Sequence, residues 1–301
     1  MSWEDTFLTW AQPLGETEDT KCENVDRMIK EAIREDSQLS KMDIEVFTQG
    51  SYRANTNVRQ ESDVDVCVCL KDSFFYDLQV HNLQGSPIDY GISTPASIQY
   101  SDFKNLVENA LVKKFGRTGV SRGNKAFDIH ANTYRVDADV VAAFEHRRYK
   151  GLYGNVPLYD KGIEFVTDAG NRVVNWPEQS HSNGVNKNDL TSRKYKASVR
   201  ILKRLRNKMQ EEGIIQAKDI GSFLIASLVW NVPNEQFNSA YHASNIRNVL
   251  AHTFNNTLND EACGAWGEVN ELKYLFNPTQ GWTRQQAHGF LSAAWDYVGF
   301  E

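Results

Sequence analysis

Hydrophobic and polar residues alternate strictly along residues 62–70, SDVDVCVCL. This period of two predicts a β-strand, because successive side chains of a strand point to opposite faces. One face is apolar: Val64, Val66, Val68 and Leu70. The other face begins with Asp63 and Asp65 and continues with Cys67 and Cys69. Two carboxylates therefore stand at the start of an otherwise apolar strand.

Other stretches follow the period of a helix. Apolar residues recur at helical spacing from Asp19 to about Leu39: Val25, Met28, Ile29, Ala32 and Ile33. Residues 44–51, IEVFTQGS, predict a short strand that runs into a Gly-Ser turn. Residues 101–116 predict an amphipathic helix, and residues 125–144 predict a pair of strands.

The second half of the chain has a different pattern. Gly, Asn and Pro punctuate residues 151–188, which predicts loops there. From residue 190 onward the pattern is mostly helical. The chain is therefore predicted to have an α+β fold, with an α/β half over residues 1–180 and a helical domain over residues 181–301.

The composition indicates a globular protein and does not by itself indicate a function. The 301 residues are 41% hydrophobic and 24% charged, which is ordinary for a globular protein. A net charge of −6 argues against a protein that coats nucleic acid with its whole surface, although a local basic groove stays compatible with it. The first twenty residues predict no signal peptide, and the apolar runs are too short to span a bilayer. We therefore expect a cytoplasmic protein with no membrane partner.

The cysteines add no site of their own. Cys22, Cys67, Cys69 and Cys263 show neither disulfide nor zinc-finger spacing, and no second pair or nearby His completes a metal site for the Cys67–Cys69 pair. Reduced, buried thiols are expected.

Asp63 and Asp65 are candidates for metal binding. Side chains at i and i+2 of a strand point the same way, about 7 Å apart. Unpaired and half-buried, the two carboxylates would repel each other, and a divalent cation such as Mg²⁺ would remove that cost. The alternative is a pair of exposed strand acids that are solvated or face Lys and Arg.

Neighbouring motifs favour the metal site. Gly50-Ser51 follows a predicted strand, so its backbone N–H groups and hydroxyl can hold phosphate oxygens. The strand VDADVVAAF carries Asp137 and Asp139 on one face. One of these acids on a neighbouring strand would complete three carboxylates, a set that binds two metal ions for in-line displacement at phosphorus.

These motifs resemble a known family. Gly-Ser, then D-x-D about a dozen residues later, then an acid before Val-Val is the pattern of the polymerase-β-like nucleotidyltransferases. More narrowly, QGSYRANTNVRQESDVDV, ADVVAAF and NRVVNWPEQSHSNGVNKN resemble the bacterial cGAS/DncV-like nucleotidyltransferases, and most of all their short clade E. The resemblance covers the chain from about residue 44 into the helical half. It implies a nucleotidyltransferase core fused to a helical C-terminal domain, with the active site in the cleft between them.

The resemblance also implies roles for individual residues. Gln49, Gly50 and Ser51 would hold the phosphates of the donor nucleotide. Asp63 and Asp65 would bind both Mg²⁺ ions, for which Mn²⁺ is a possible substitute.

The motif offers two candidates for the third metal ligand. Asp139 matches the third acid of the family, because it directly precedes Val-Val. It would bind the metal that activates the attacking hydroxyl and would accept the hydroxyl proton. Asp137 lies on the same face and is the alternative.

The helix SRKYKASVRILKRLRNK carries a basic stripe. Lys196, Arg200 and Lys203 stand at helical spacing, and such a stripe is often only a solvated face. In the family, a lysine on this helix contacts the donor triphosphate. Lys196 fits that position best and Lys203 is a second candidate, whereas Arg200 could equally be structural.

The segment RVVNWPEQSHSNG contains Asn175, whose amide both donates and accepts hydrogen bonds. A loop Asn beside Trp-Pro commonly forms a turn, which is the alternative to a binding role. In the resembled subgroup, an Asn in this setting accompanies pyrimidine use, which implies a product that contains uridine. His181, in the same segment, is interpreted as structural.

Three functions follow from these observations. The first, implied by the resemblance, is a Mg²⁺-dependent nucleotidyltransferase that joins UTP, alone or with ATP, into a cyclic dinucleotide for antiphage defence. The enzyme would be monomeric, a separate effector protein would read its product, and it would have no stable nucleic-acid partner. The second is nucleotide addition to a polymer end or a linear oligonucleotide, which the acidic charge disfavours. The third is a non-catalytic binding protein of the same fold, which would have no need to keep the costly acids.

Overall fold

The computed structural model describes residues 2–58 and 63–301. Within them it has seven strands and ten α-helices. The strands are β1 Ile44–Thr48, β2 Val64–Asp77, β3 Val120–Arg122, β4 Phe127–Ile129, β5 Ala138–Tyr153, β6 Val156–Val166 and β7 Arg172–Asn175. Ser62, the first residue of the alternating stretch, lies outside the described residues.

The helices are α1 Trp3–Trp10, α2 Glu16–Glu35, α3 Gly50–Arg53, α4 Tyr100–Phe115, α5 Pro177–Leu190, α6 Lys194–Glu211, α7 Ser222–Trp230, α8 His242–Asn256, α9 Asp260–Cys263 and α10 Arg284–Val298. No helix in the described part of the chain is long and apolar enough to cross a membrane.

The chain divides into two compact units. The first contains residues 16–52 and 63–177 and holds the sheet, whose strands run in the order β1-β2-β5-β4-β3. The strand β6 pairs with the far half of β5, and β7 pairs with β6. Most neighbours are antiparallel, but β2 and β5 run parallel, which brings the beginnings of both strands to the same edge.

Both faces of this sheet are buried along the first half of β2. The helices α2 and α4 cover one face, and the even positions of β2 from Val64 to Leu70 lie in the core beneath them. On the opposite face Cys67 and Cys69 pack with residues of β5 and β6. All four cysteines are buried, and none of them is in a disulfide. The alternation in β2 therefore separates two cores rather than a core from solvent.

The helix predicted from Asp19 to about Leu39 is confirmed as α2, and the strands predicted over residues 44–51 and 125–144 are confirmed as β1, β4 and β5. The loops predicted over residues 151–188 are wrong. That range holds the end of β5, then β6, β7 and most of α5. Gly154 and Asn155 form the tight turn of the β5–β6 hairpin, and other Gly and Asn residues of this range lie within strands instead of breaking them.

The second unit contains residues 2–15, 53–58 and 178–301, and it is almost entirely helical. Its core is built around α6, whose apolar side chains pack with those of α7, α8 and α10. Phe7 from α1 joins the same core, so the N-terminal helix belongs to this unit rather than to the sheet. The mostly helical pattern expected from residue 190 onward is confirmed.

Candidate active site

The sheet brings three acidic side chains into one row across neighbouring strands. Asp65 in β2 is the register partner of Asp139 in β5. On the other side of β5, Asp139 is the register partner of Asp128 in β4. Adjacent strands lie about 4.8 Å apart, so the three carboxylates occupy neighbouring positions at one edge of the sheet.

Asp139 is half-buried within this row, and its electrostatics reflect that position. Loss of solvent raises the pKa of its carboxyl to about 6, and repulsion from Asp65, Asp128 and Asp63 contributes to the rise. The pKa of Asp63 is raised as well, through incomplete solvation and then repulsion from Asp137 and Asp128. The folded protein therefore concentrates negative charge at this edge at a cost.

Asp137 differs from Asp139 although the two share a sequence motif. It precedes β5, is exposed, and its Oδ1 accepts a hydrogen bond of 2.6 Å from the backbone N–H of Ala131. Its carboxylate thus shapes the loop before the strand. Asp139, within the strand, faces the other acids.

Asp128 is a member of this row that the sequence did not reveal. It is exposed, it lies in a strand of three residues, and no other acid stands two positions away. A hydrogen bond between Asp128 and Asp139 also raises the pKa of Asp139. The only available signal was the FDIH segment beside the predicted β5, and it did not specify the register between the two strands.

The Gly-Ser turn lies against the same acids. The backbone N–H of Gln49 donates a 2.8 Å hydrogen bond to the carbonyl of Asp65, which joins the end of β1 to the start of β2. Gly50 has a φ of +63°, and a Cβ there would lie 1.9 Å from Oδ2 of Asp65. Only glycine therefore permits this turn beside that carboxylate. Ser51 follows it in α3.

The acids fit a divalent metal by charge and donor chemistry. A bound cation would offset the repulsion that helps to raise the pKa values of Asp63 and Asp139. Carboxylate oxygens are hard ligands that suit Mg²⁺, which takes its remaining ligands from water and phosphate oxygens. In residues 2–58 and 63–301, however, no three His, Cys, Asp or Glu side chains form a ready-made metal-binding group. Asp63, Asp65 and Asp139 could hold such a cation together with substrate oxygens.

The basic stripe lies in the other unit, where its residues differ in environment. Lys203 is almost fully buried, and its Nζ donates to the carbonyl of Thr56 at 3.1 Å. Arg200 donates from Nε to the carbonyl of Ala11 and from one terminal nitrogen to that of Asn55. These two cations hold the loop at residues 55–56, and the stripe is not a solvated face.

Lys196 lies in the same helix but has a different environment. It is half-buried, and no acidic side chain in the described part of the chain forms an ion pair with its ammonium. Burial, and then repulsion from Arg200, lowers its pKa, while Asp189 opposes them. His181, interpreted as structural, has its pKa lowered by burial and by Arg53 and Lys196. Lys196 is therefore a cation whose charge an incoming anion would stabilise.

Asn175 is the last residue of β7 and precedes the buried Trp176. It is half-exposed, and its side-chain amide has no hydrogen-bond partner among residues 2–58 and 63–301. The turn-forming alternative requires such a bond and finds none there. The amide is consequently available to a ligand.

Family models match both parts of the chain. A nucleotidyltransferase domain matches residues 27–114, and a cGAS/DncV-like nucleotidyltransferase C-terminal helical domain matches residues 182–299. The cyclic dipyrimidine nucleotide synthase CdnE of Legionella pneumophila is 45% identical over 99% of this chain and 98% of its own length. The chain belongs to the cGAS/DncV-like nucleotidyltransferases.

Other relatives of this nucleotidyltransferase carry different product names. The cyclic dipurine nucleotide synthase of Elizabethkingia meningoseptica is 36% identical over 99% of both chains. The structure of the CdnE c-UMP-AMP synthase of Rhodothermus marinus, solved with Apcpp and Upnpp, matches with a TM-score of 0.84. It is 26% identical, and the match covers 99% of this chain and 97% of that chain. The fold and family predicted from the sequence are confirmed, and the chain is a nucleotidyltransferase.

Proposed function

We propose that this enzyme joins NTPs, at least one of them UTP, into a cyclic dinucleotide. The observation that carries the proposal is the register pair of Asp65 and Asp139 beside the Gly50 turn, on the fold of this family. Each joining step forms a bond between a ribose oxygen of one nucleotide and the α-phosphorus of another. It releases pyrophosphate and one proton, and two such steps close the ring.

Each part of the site has a role in that reaction. The backbone N–H groups of Gly50 and Ser51 and the Ser51 hydroxyl bind donor phosphates, whereas the N–H of Gln49 is already bonded to Asp65. Asp63, Asp65 and Asp139 would hold two Mg²⁺ ions, or Mn²⁺ in their place. Bound metal would supply neutralisation of the phosphates and a more acidic ribose hydroxyl. The carboxylate of Asp139 would accept the proton of that hydroxyl.

The uridine in the product is inferred from two observations. Asn175 presents an amide that has no partner among the described residues, and the Legionella relative, at 45% identity, is named for dipyrimidine products. The dipurine relative is 36% identical, so membership of the family does not by itself determine the base. By resemblance to enzymes of this kind, we also propose a monomeric, cytoplasmic enzyme of antiphage signalling whose product a separate effector reads.

The test is incubation of the purified protein with Mg²⁺ and all four labelled NTPs, followed by phosphatase. Phosphatase-resistant product that contains uridine is expected. Product with phosphatase-sensitive ends would show a linear oligonucleotide and favour polymer-end addition. Absence of any product, with Mg²⁺ or Mn²⁺, would favour a non-catalytic binding protein. Chelation by EDTA should abolish synthesis.

Lys196→Ala should raise the KM for NTP about tenfold, because it removes a charge-assisted contact to phosphate worth about 1.5 kcal/mol or more. The melting temperature should change little, since Lys196 pairs with no acid in the described structure. Lys208→Ala is the matched control, because Lys208 lies in the same helix and pairs instead with Glu212 at 2.7 Å. Initial rates over a range of NTP concentrations measure the effect, and equal KM values for both variants would contradict it.

Asn175→Ser should weaken the preference for UTP and admit purines. A buried hydrogen bond to a base edge discriminates by leaving a polar group unpaired when the wrong base enters, at about 1–3 kcal/mol. The ratio of kcat/KM between UTP and purine nucleotides should fall about ten- to a hundredfold. Total turnover should fall much less than in variants of the acids. A wild-type enzyme that makes only purine products would contradict this role of Asn175.

A further inference from the structure

The strand pair beside Asn175 contains a close contact that depends on one glycine. Gly162 in β6 is buried, and a Cβ there would lie 2.7 Å from the carbonyl oxygen of Asn175 and 2.7 Å from Cε3 of Trp176. Both distances are shorter than any ordinary contact of a Cβ atom. The absence of a side chain at residue 162 thus lets the backbone at Asn175 and the indole of Trp176 lie directly on β6.

The indole is held from its other sides as well. Trp176 is 1% exposed, and the ring of His146 meets it edge-on, with centroids 5.3 Å apart and planes at 84°. The guanidinium of Arg148 lies 4.6 Å from the indole centroid. His146 is the register partner of Gly162, so the residues below and beside the indole come from two paired strands.

A buried hydrogen-bond chain fixes the histidine. Nδ1 of His146 and Oε2 of Glu164 are 2.7 Å apart, and Nε of Arg172 donates to the other oxygen of that carboxylate. Glu164 is fully buried, and although burial acts to raise its pKa, the hydrogen bonds from His146 and Arg172 hold it below the usual value. Arg172 begins β7, the strand that ends at Asn175. The chain therefore ties β5, β6 and β7 together.

We propose that Gly162 and Trp176 are positioning residues that aim the amide of Asn175 at the nucleobase and thereby set base selectivity. The inference rests on the proposed base reading by Asn175. A hydrogen-bonding group discriminates between bases only when it is held in place, because a mobile amide can adapt to the wrong edge. The indole fixed between Gly162 and His146 removes that freedom from the backbone at residues 175 and 176.

The test is Gly162→Ala, assayed as kcat/KM for each of the four NTPs. The added methyl must displace Asn175 or Trp176, so the ratio of kcat/KM between the preferred NTP and the others should fall about tenfold. The kcat with the preferred NTP should fall by a smaller factor. The same preference should change in Asn175→Ser, and the double variant should show no further change, since Gly162 acts through Asn175.

Controls separate positioning from loss of stability. Ile33→Val removes one methyl from the core beneath α2 and should lower the melting temperature while leaving the base preference unchanged. If Gly162→Ala does not fold, Trp176→Phe is the second variant, with the same expected loss of preference. If Asn175→Ser shifts the preference but the folded positioning variant only lowers stability, as Ile33→Val does, the positioning role is overturned.

The proposed function fails in a distinguishable way. A wild-type enzyme that does not use UTP contradicts the uridine assignment. The positioning role is then still decided by whether Gly162→Ala and Asn175→Ser shift the same preference, whatever that preference is. If Asn175→Ser shifts no preference, base reading by Asn175 and its positioning by Gly162 are both overturned, while the role of the acids is unaffected.

Discussion

The double variant Asp63→Asn, Asp65→Asn should form no detectable cyclic product while it keeps the fold. Both amides preserve shape but remove the charge that hard cations require. Loss of metal-supported displacement should lower kcat by at least about a thousandfold, the scale on which a missing electrostatic stabiliser acts. Thin-layer separation of labelled products after phosphatase measures it, and circular dichroism confirms the fold.

Glu45→Gln is the matched control for that variant. Glu45 is an exposed acid in β1, the strand that pairs with β2 in the same sheet. Its nearest cation is Lys71 at 3.8 Å, a surface pair worth little. The control should retain full synthesis. Near-normal turnover by the double variant would show that these acids do not bind the catalytic metals.

Asp139→Asn should abolish synthesis and also stabilise the metal-free protein. An aspartate in an unfolded chain titrates near about 4, whereas folding raises the pKa of Asp139 to about 6. The folded state therefore holds a proton that the unfolded chain has released. The contribution of this proton to the free energy of unfolding is fully present below about pH 4 and is lost as the pH rises through about 6. At pH 7 the neutral amide should recover about 1 kcal/mol, after allowance for solvent screening at a half-buried site.

Thermal unfolding in EDTA between pH 4 and pH 8 measures this effect. The melting temperature of the wild type relative to that of Asp139→Asn should fall as the pH rises from about 4 to 6, and Asp139→Asn should be the more stable protein at pH 7. Asp137→Asn is the control, because its amide oxygen can still accept the bond from Ala131. It should retain most activity. Greater loss of synthesis in Asp137→Asn than in Asp139→Asn would identify Asp137 as the third ligand.

Much of the sheet could be predicted from the sequence. The strand β2 alternates strictly, β5 continues as an apolar run after Asp139, and the acids stand near the start of each strand, so parallel pairing brings Asp65 and Asp139 together. Asp128 could not be found in this way, because a three-residue strand has no period and register depends on pairing across distant segments.

The burial of Arg200 and Lys203 in the basic stripe could not be predicted from the sequence either. Arg200 and Lys203 are buried because backbone carbonyls of Ala11, Asn55 and Thr56 accept their hydrogen bonds. These acceptors come from segments about 145 to 190 residues away along the chain, and a helical periodicity contains no information about them. Lys203 as a nucleotide ligand stays a prediction.

The strand β5 carries Asp139 near its start and His146 seven positions later. At about 3.3 Å per residue, roughly 23 Å of a single strand separates the carboxylate from the imidazole. Substitutions this far apart with no shared partners usually add independently. If Asn175 reads the base as proposed, mutations around β6 and β7 would change the product without altering the acids that carry the chemistry. Dipyrimidine, dipurine and mixed synthases among relatives of one fold are the diversity that such modularity would generate.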